Sequence, residues 1–280
     1  MSKTALVNKI IPFSNVDGPG NRTTIFFQSC PFRCLYCHNP ETINVCVNCG
    51  DCIPTCPVQA LTKVDGKVLW DSKKCIDCDT CINVCKHMSS PKVRTYDVQE
   101  LVAYIQQHAL FISGITVSGG ECMNYADFIH DLFVEVKKLG LTCLIDSNGA
   151  YDFQDYTDLL EVSDGVMLDV KAADEAFHQT LCRYDNKVVL ANLEYLQSVD
   201  KLVEVRTVLL PSQDRQNTCT VDYVSKHLNG DIPYKLLRYR PYGVRAEGVA
   251  VFGSQTVSEA DAIKYKKIAC LNRQGPVIVV

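Results

Sequence analysis

Eleven of the sixteen cysteines crowd into three blocks within the first third of the 280-residue chain. The blocks read Cys30-x3-Cys34-x2-Cys37, then Cys46-x2-Cys49-x2-Cys52-x3-Cys56-Pro57, then Cys75-x2-Cys78-x2-Cys81-x3-Cys85. Thiols this close in sequence are too crowded for independent disulfides, so the fold must gather each block around a common centre. Four thiolates complete the protein shell of a [4Fe–4S] cube. Three leave one iron open, and an open position is where a metal centre does chemistry. Structural zinc is the alternative for each block, although zinc sites favour paired Cys-x2-Cys knuckles over a three-cysteine run.

The remaining composition bounds the setting. With 47% apolar residues, the chain can bury one large domain and a small insert. The formal charge is −4 and no Lys/Arg run occurs, so nucleic acid is not an expected partner. Met1–Pro12 has no apolar leader core, and no stretch is as long as a membrane span. The expected setting is cytoplasmic, without a membrane partner, where thiols stay reduced.

Outside the cysteine region strand and helix patterns alternate. Short apolar runs predict parallel strands at Thr24–Gln28, Ile115–Val117, Thr142–Ile145, Gly165–Val170, Val203–Leu209 and Lys235–Tyr239. Amphipathic segments lie between or after them at Val98–His108, Tyr125–Leu139, Tyr151–Glu161, Lys187–Gln197, Thr220–Leu228 and Glu259–Ala269. Six βα units fall short of the eight in a closed barrel, so an α/β, partial (β/α)6 TIM-like barrel is expected, with Val277–Val280 as an edge strand. The gap after the first strand is too long for a loop and holds both four-cysteine blocks. Residues 44–91 are therefore expected to form an inserted domain with metal clusters for a core, and a hairpin at Ala60–Val64 and Lys67–Trp70. Residues 1–43 and 92–280 form the barrel.

Each four-cysteine block matches the run of bacterial two-cluster ferredoxins, in which the fourth cysteine ligates the other cluster. Cys46, Cys49, Cys52 and Cys85 are then one ligand set, and Cys75, Cys78, Cys81 and Cys56 the other. Lys86 stands where the first block has Pro57. Cys122, Cys143, Cys182, Cys219 and Cys270 lack ligand spacing and read as small buried residues.

Cys30-Pro-Phe-Arg-Cys34-Leu-Tyr-Cys37 follows a barrel strand, at the end where such folds keep their chemistry. Cys-x3-Cys-x-aromatic-Cys resembles the signature of the radical S-adenosylmethionine (SAM) superfamily. The flanking Asp17-Gly18-Pro19-Gly20-Asn21-Arg22, Phe26, Phe27 and His38-Asn39-Pro40 narrow this to a resemblance to glycyl-radical-enzyme activating enzymes. It covers essentially the whole chain, and with the insert it looks most like the YjjW-type activases. Ser29 departs from the family, which usually has Gly before the first cysteine.

This resemblance implies that Cys30, Cys34 and Cys37 hold a [4Fe–4S] cluster whose open iron binds SAM. It implies that Gly119, Gly120 and Glu121 hold the methionyl amino group, with Arg206 also contacting SAM and Tyr36 and His38 near the adenine. Asp146, Ser147 and Asp169, with an oxygen near Met167, would face the SAM carboxylate and a monovalent cation. Lys171 approaches substrate or pairs with Asp169. Arg240 stands where the family commonly has a His, and could contact the ribose or a carboxylate of SAM. Asp17, Gly18 and Arg22 are candidate contacts with the partner.

One electron would then cleave SAM to methionine and a 5′-deoxyadenosyl radical, which takes hydrogen from a glycine Cα of a glycyl radical enzyme. A low-potential donor such as flavodoxin or ferredoxin would supply the electron. With two clusters in the insert, three are expected in all. Two other readings stay open: a radical SAM enzyme acting on a small molecule or peptide, and a non-catalytic iron–sulfur electron carrier.

Overall fold

Strands covered on both sides can carry apolar runs, and a parallel arrangement supplies that cover. In a computed structural model that describes residues 3–280, the chain runs β1 (Thr4–Ser14), β2 (Arg22–Phe27), a hairpin β3 (Leu61–Val64) and β4 (Lys67–Trp70), α1 (Thr80–Asn83), β5 (Arg94–Asp97) and α2 (Val98–Gln106). It continues β6 (Gly114–Gly119), α3 (Ala126–Lys137), β7 (Thr142–Ser147), α4 (Thr157–Val162), β8 (Gly165–Asp169), α5 (Glu175–Cys182) and α6 (Lys187–Ser198). Then come β9 (Leu202–Leu209), α7 (Asp214–His227), β10 (Tyr234–Arg238), α8 (Ala246–Phe252), α9 (Glu259–Asn272) and β11 (Val277–Val279).

One nine-stranded sheet has the order β11-β10-β9-β8-β7-β6-β2-β1-β5. From β2 to β11 every pairing is parallel, while β1 runs antiparallel to both β2 and β5. The edges β5 and β11 do not pair with each other, so this is the open, partial α/β barrel that six units suggest. All six expected strands form, and so do the edge strand β11 and the hairpin. The capping of α2 follows the sequence as well: Asp97 and Glu100 form a reciprocal capping box. The strand β1, the strand β5 and the helices α5 and α8 are additions that the periodicity does not predict.

Side chains alternate across this sheet. Ile25, Phe27, Ile115, Val117, Ile145, Val166, Leu168 and Val205 turn outward and join one core with Ile129, Leu132 and Phe133 of α3 and Leu193 of α6. The inner face is different. Register sets Asp146 beside Met167, Met167 beside Glu204, Asp169 beside Arg206, and Arg206 beside Lys235. The barrel interior is therefore lined by charges that must satisfy one another. No helix among the described residues is long and apolar enough to cross a membrane.

Residues 44–91 leave and rejoin the barrel at one point. Asn44 donates its backbone N–H to Met88 O (3.0 Å) and its side-chain amide to His87 O (2.7 Å). Between those ends lie only the hairpin and α1.

Candidate active site

The cysteine loop leaves β2 and is pinned from two sides. Arg33 N donates to Cys182 O (2.8 Å) and Leu35 N to Leu181 O (2.9 Å), so the C-terminal carbonyls of α5 brace it. On the other side Glu121 N donates to Ser29 O (2.9 Å) and Gly120 N to Phe27 O (3.0 Å). This close backbone approach requires glycine: a Cβ on Gly119 would meet the backbone of Phe27, and one on Gly120 the carbonyls of Ser29 and Thr42. Ser29 itself has φ +87°, the left-handed strain expected of a residue standing in for glycine.

These loops enclose a cavity of about 350 Å³. Cys30, Cys34 and Cys37 reach it from β2, Gly119 and Gly120 from β6, Asp146 and Ser147 from β7, and Asp169 and Lys171 from β8. Tyr36, His38, Arg206 and Asp17 complete the expected residues that it gathers. Ser118, Asn148 and Arg238 also line it, and the sequence reading assigns none of them. A larger cavity of about 490 Å³ lies where the hairpin meets β1 and β5, but it holds none of these residues.

Electrostatics inside are tightly paired. Asp146 accepts from Arg206 Nη1 (3.0 Å) at one oxygen and from Ser118 Oγ (2.9 Å) at the other. Arg206 also binds Glu204 through Nε (2.5 Å), and Lys235 reaches the second oxygen of Glu204 (2.7 Å). Lys171 Nζ sits 3.0 Å from Asp169 Oδ2 and 5.8 Å from the Tyr36 ring centre. Burial opposes the Lys171 charge, but Asp169 and the nearby Tyr36 and Cys34 outweigh it and raise its pKa well above the usual value. Burial raises the Asp146 carboxyl, with Arg206 opposing. Burial also pushes the Cys30 thiol well up and Cys37 to about 12.

Three expectations change on this geometry. Glu121 does not face the cavity: it is 1% exposed and its carboxylate accepts from Ser147 Oγ (2.9 Å), Met123 N (3.0 Å) and Asn148 N (2.8 Å). It ties the Gly119-Gly120 turn to the Asp146–Gly149 turn, with no oxygen turned toward an ammonium. Arg22 is not a partner contact either. It is 1% exposed, and its guanidinium donates to Thr116 Oγ1 (2.8 Å), Ile115 O (2.5 Å) and Thr142 Oγ1 (2.9 Å) under the barrel. The loop from Asp17 to Arg22, Gly18 included, precedes β2 and so lies at the opposite end of that strand from the cysteines. Only Asp17 reaches the cavity, and it accepts from Ser14 Oγ (2.5 Å) and Thr24 Oγ1 (3.1 Å).

Arg240 contributes its carbonyl, not its charge: His38, held neutral by burial, donates Nε2–H to Arg240 O (2.8 Å). At Asp146 and Asp169, where a monovalent cation is expected, side-chain donors stand. Arg206 and Ser118 hold both oxygens of Asp146, Lys171 holds one of Asp169, and Met167 turns its sulfur to Arg206 (3.0 Å). Two side-chain cations already balance these carboxylates.

In residues 44–91 the cysteines surround two small hollows. One is lined by Cys46, Cys49, Cys52, Cys81 and Cys85, with Lys86. The other is lined by Cys56, Cys75, Cys78 and Cys81. Among the described residues no three His, Cys, Asp or Glu side chains form a group able to hold a single metal ion.

The family model of the radical SAM superfamily matches residues 24–220. The chain is 32% identical over 229 residues to the trans-4-hydroxy-L-proline dehydratase activating enzyme of Clostridioides difficile, covering 69% of this chain and 70% of that one. It is 28% identical over 319 residues to the choline trimethylamine-lyase activating enzyme of Oleidesulfovibrio alaskensis, covering 100% and 99%. Among solved structures, QueE from Escherichia coli superposes with a TM-score of 0.52 at 15% identity, over 99% of this chain and 94% of that one, a likeness of fold.

Proposed function

This chain belongs to the radical SAM superfamily, among its glycyl-radical-enzyme activating enzymes, and from that premise we propose how its own residues carry the activity and what residues 44–91 add. A [4Fe–4S] cluster and SAM, when bound, supply one-electron reductive cleavage and hydrogen-atom abstraction, here from a glycine of a glycyl radical enzyme. The observation that carries the assignment is the single cavity shared by Cys30, Cys34, Cys37, Gly119, Gly120, Asp146, Ser147, Asp169, Lys171 and Arg206.

Within it, Cys30, Cys34 and Cys37 hold the cluster. Gly119 and Gly120 present side-chain-free backbone to the methionyl end of SAM. Arg206 and Lys171 are buried cations, suited to the SAM carboxylate when they share Asp146 and Asp169 with it. Tyr36, 5% exposed, keeps water from the adenine side, and His38 fixes the loop there as a neutral donor. Glu121 positions both turns without touching SAM. Asp17 and Phe26 line the same cavity and are candidates to meet an inserted glycine loop.

Residues 44–91 form an inserted ferredoxin-like domain that holds two further clusters, making three. Support comes from the crossover of the hollows: Cys85 lines the first block's hollow and Cys56 the second's. A low-potential donor such as flavodoxin or ferredoxin supplies the electron. The test is to incubate the anaerobically iron-loaded, reduced protein with SAM and a candidate glycyl radical enzyme. The expected result is 5′-deoxyadenosine together with a glycyl-radical electron paramagnetic resonance (EPR) signal on the partner. Cleavage coupled only to a small molecule or peptide, or no cleavage at all, would overturn the reading.

A further inference from the structure

Two side chains outside the ligand set address the ligating sulfurs. Asn148 Nδ2 lies 3.4 Å from Cys30 Sγ, and Cys182 Sγ lies 3.5 Å from Cys34 Sγ. Both are held in place by other bonds. Asn148 Oδ1 accepts from Ala150 N (3.0 Å), which leaves the NH2 end of the amide facing Cys30. Cys182 is fully buried at the end of α5, where its own carbonyl receives Arg33 N (2.8 Å). Phe32 packs against His178 and Tyr184 on either side of that end, at ring-centre distances of 5.5 and 4.9 Å. The loop and the helix thus fix the two sulfurs against each other.

The positions exclude a ligand role for Cys182 beside Cys34. Each iron of a [4Fe–4S] cube offers one outward position. A thiol in contact with the sulfur that fills it has no iron of its own and donates S–H to that sulfur. A hydrogen bond into a ligating thiolate favours the more negative, reduced cluster and raises the potential.

We propose that Asn148 and Cys182 are positioning residues that set the reduction potential of the cluster on Cys30, Cys34 and Cys37, by donating hydrogen bonds to the sulfurs of Cys30 and Cys34. This rests on those three cysteines holding the SAM-binding cluster. The juxtaposition arises because α5 and the turn after β7 end on opposite sides of one loop, and each brings a donor. Reduction by the donor protein is thereby eased by residues outside the ligand set.

The experiment is a redox titration of the full-length, iron-loaded protein followed by EPR. The reading is confined to the part of the reduced signal that changes when SAM is added, which separates this cluster from the others. Cys182→Ala and Asn148→Asp should each lower its midpoint, by about tenfold in the reduction equilibrium, which is about 59 mV for one electron. Asn148→Asp keeps the acceptor for Ala150 N while removing the donor. Cys182→Ser restores a donor and should return most of the shift. Unchanged midpoints in both variants overturn the proposal. So does loss of the SAM-sensitive signal in Cys182→Ala while the SAM-insensitive signal persists, since that would make Cys182 a ligand. If the wild type itself has no SAM-sensitive signal, the cluster assignment fails instead.

Discussion

The barrel and the insert each gather a set of cysteines, with opposite resources. The barrel cysteines stand on a loop braced by α5, by the Gly119-Gly120 turn and by a continuous apolar core. The insert's own core consists of three buried residues, Cys52, Leu61 and Cys81, two of them proposed iron ligands. Val45, Val47, Val64, Leu69, Ile76 and Val84 stay exposed there. Six non-glycine residues with positive φ also fall in this short stretch: Asn48, Gln59, Asp65, Asp77, Asp79 and Met88. A chain that buries so little and strains so often lacks the apolar surface to fold by itself. The lesson is that a reactive site needs a scaffold indifferent to its metal, whereas an auxiliary site can use the metal as its scaffold.

Iron removal tests that contrast most severely. Anaerobic chelation should release about twelve irons per chain, as three four-iron clusters. It should open residues 44–91 to proteolysis while amides of β6 to β9 remain protected from hydrogen exchange. An insert that stays protected without iron would break the comparison. Next in size, Cys34→Ala should abolish 5′-deoxyadenosine formation and leave about eight irons, because the insert's ligands are untouched. Retained SAM cleavage would refute the site.

What the sequence made legible follows the same division. The six central strands are readable because their outward residues, such as Ile115, Val117, Ile145 and Val205, are apolar and buried. The strand β1 is hidden because Thr4–Ser14 is half-buried on both faces and carries Asn8, Lys9 and Pro12, which blur its alternation. The helix α5 has only eight residues, so its period is short, and the neighbourhood of Cys182 went with it. Motifs located the cavity, but not which of their side chains enter it. Glu121 and Arg22 both read as exposed charges poised for a ligand. Both are buried struts, and nothing local in sequence reveals Ser147 or Thr116 as their partners.

Glu121 gives a smaller effect confined to the barrel. Burial raises its carboxyl to about 7, with its hydrogen-bond donors opposing. A carboxyl whose pKa is higher folded than unfolded binds its proton more tightly in the fold. Its contribution to stability is full below about 4.5 and is lost as pH rises through 7. At 1.36 kcal/mol per pKa unit, that loss is roughly 3 kcal/mol. The thermal midpoint of the barrel should fall between pH 5 and 8 in the wild type and less steeply in Glu121→Gln. Equal slopes would remove Glu121 from the account.

The smallest effect concerns Ser29, one of four barrel positions, with Arg183, Asp200 and Ser212, that share the insert's habit of strain. Ser29, at φ +87°, cannot relax, because its N–H donates to Thr42 O (2.7 Å) and its carbonyl accepts from Glu121 N and Asn124 Nδ2 (2.9 Å each). Holding a non-glycine residue there costs on the order of 1–3 kcal/mol. Glycine removes that cost but adds unfolded-state freedom worth roughly 0.4–1 kcal/mol. Ser29→Gly should therefore stabilise the barrel by about 1 kcal/mol in urea titration and leave the insert's sensitivity to chelation unchanged. A destabilised barrel would mean that the serine hydroxyl supplies something beyond the turn. A change in the insert would mean that the two regions share a foundation at Thr42 and Asn44, where the loop and the insert's first residue meet.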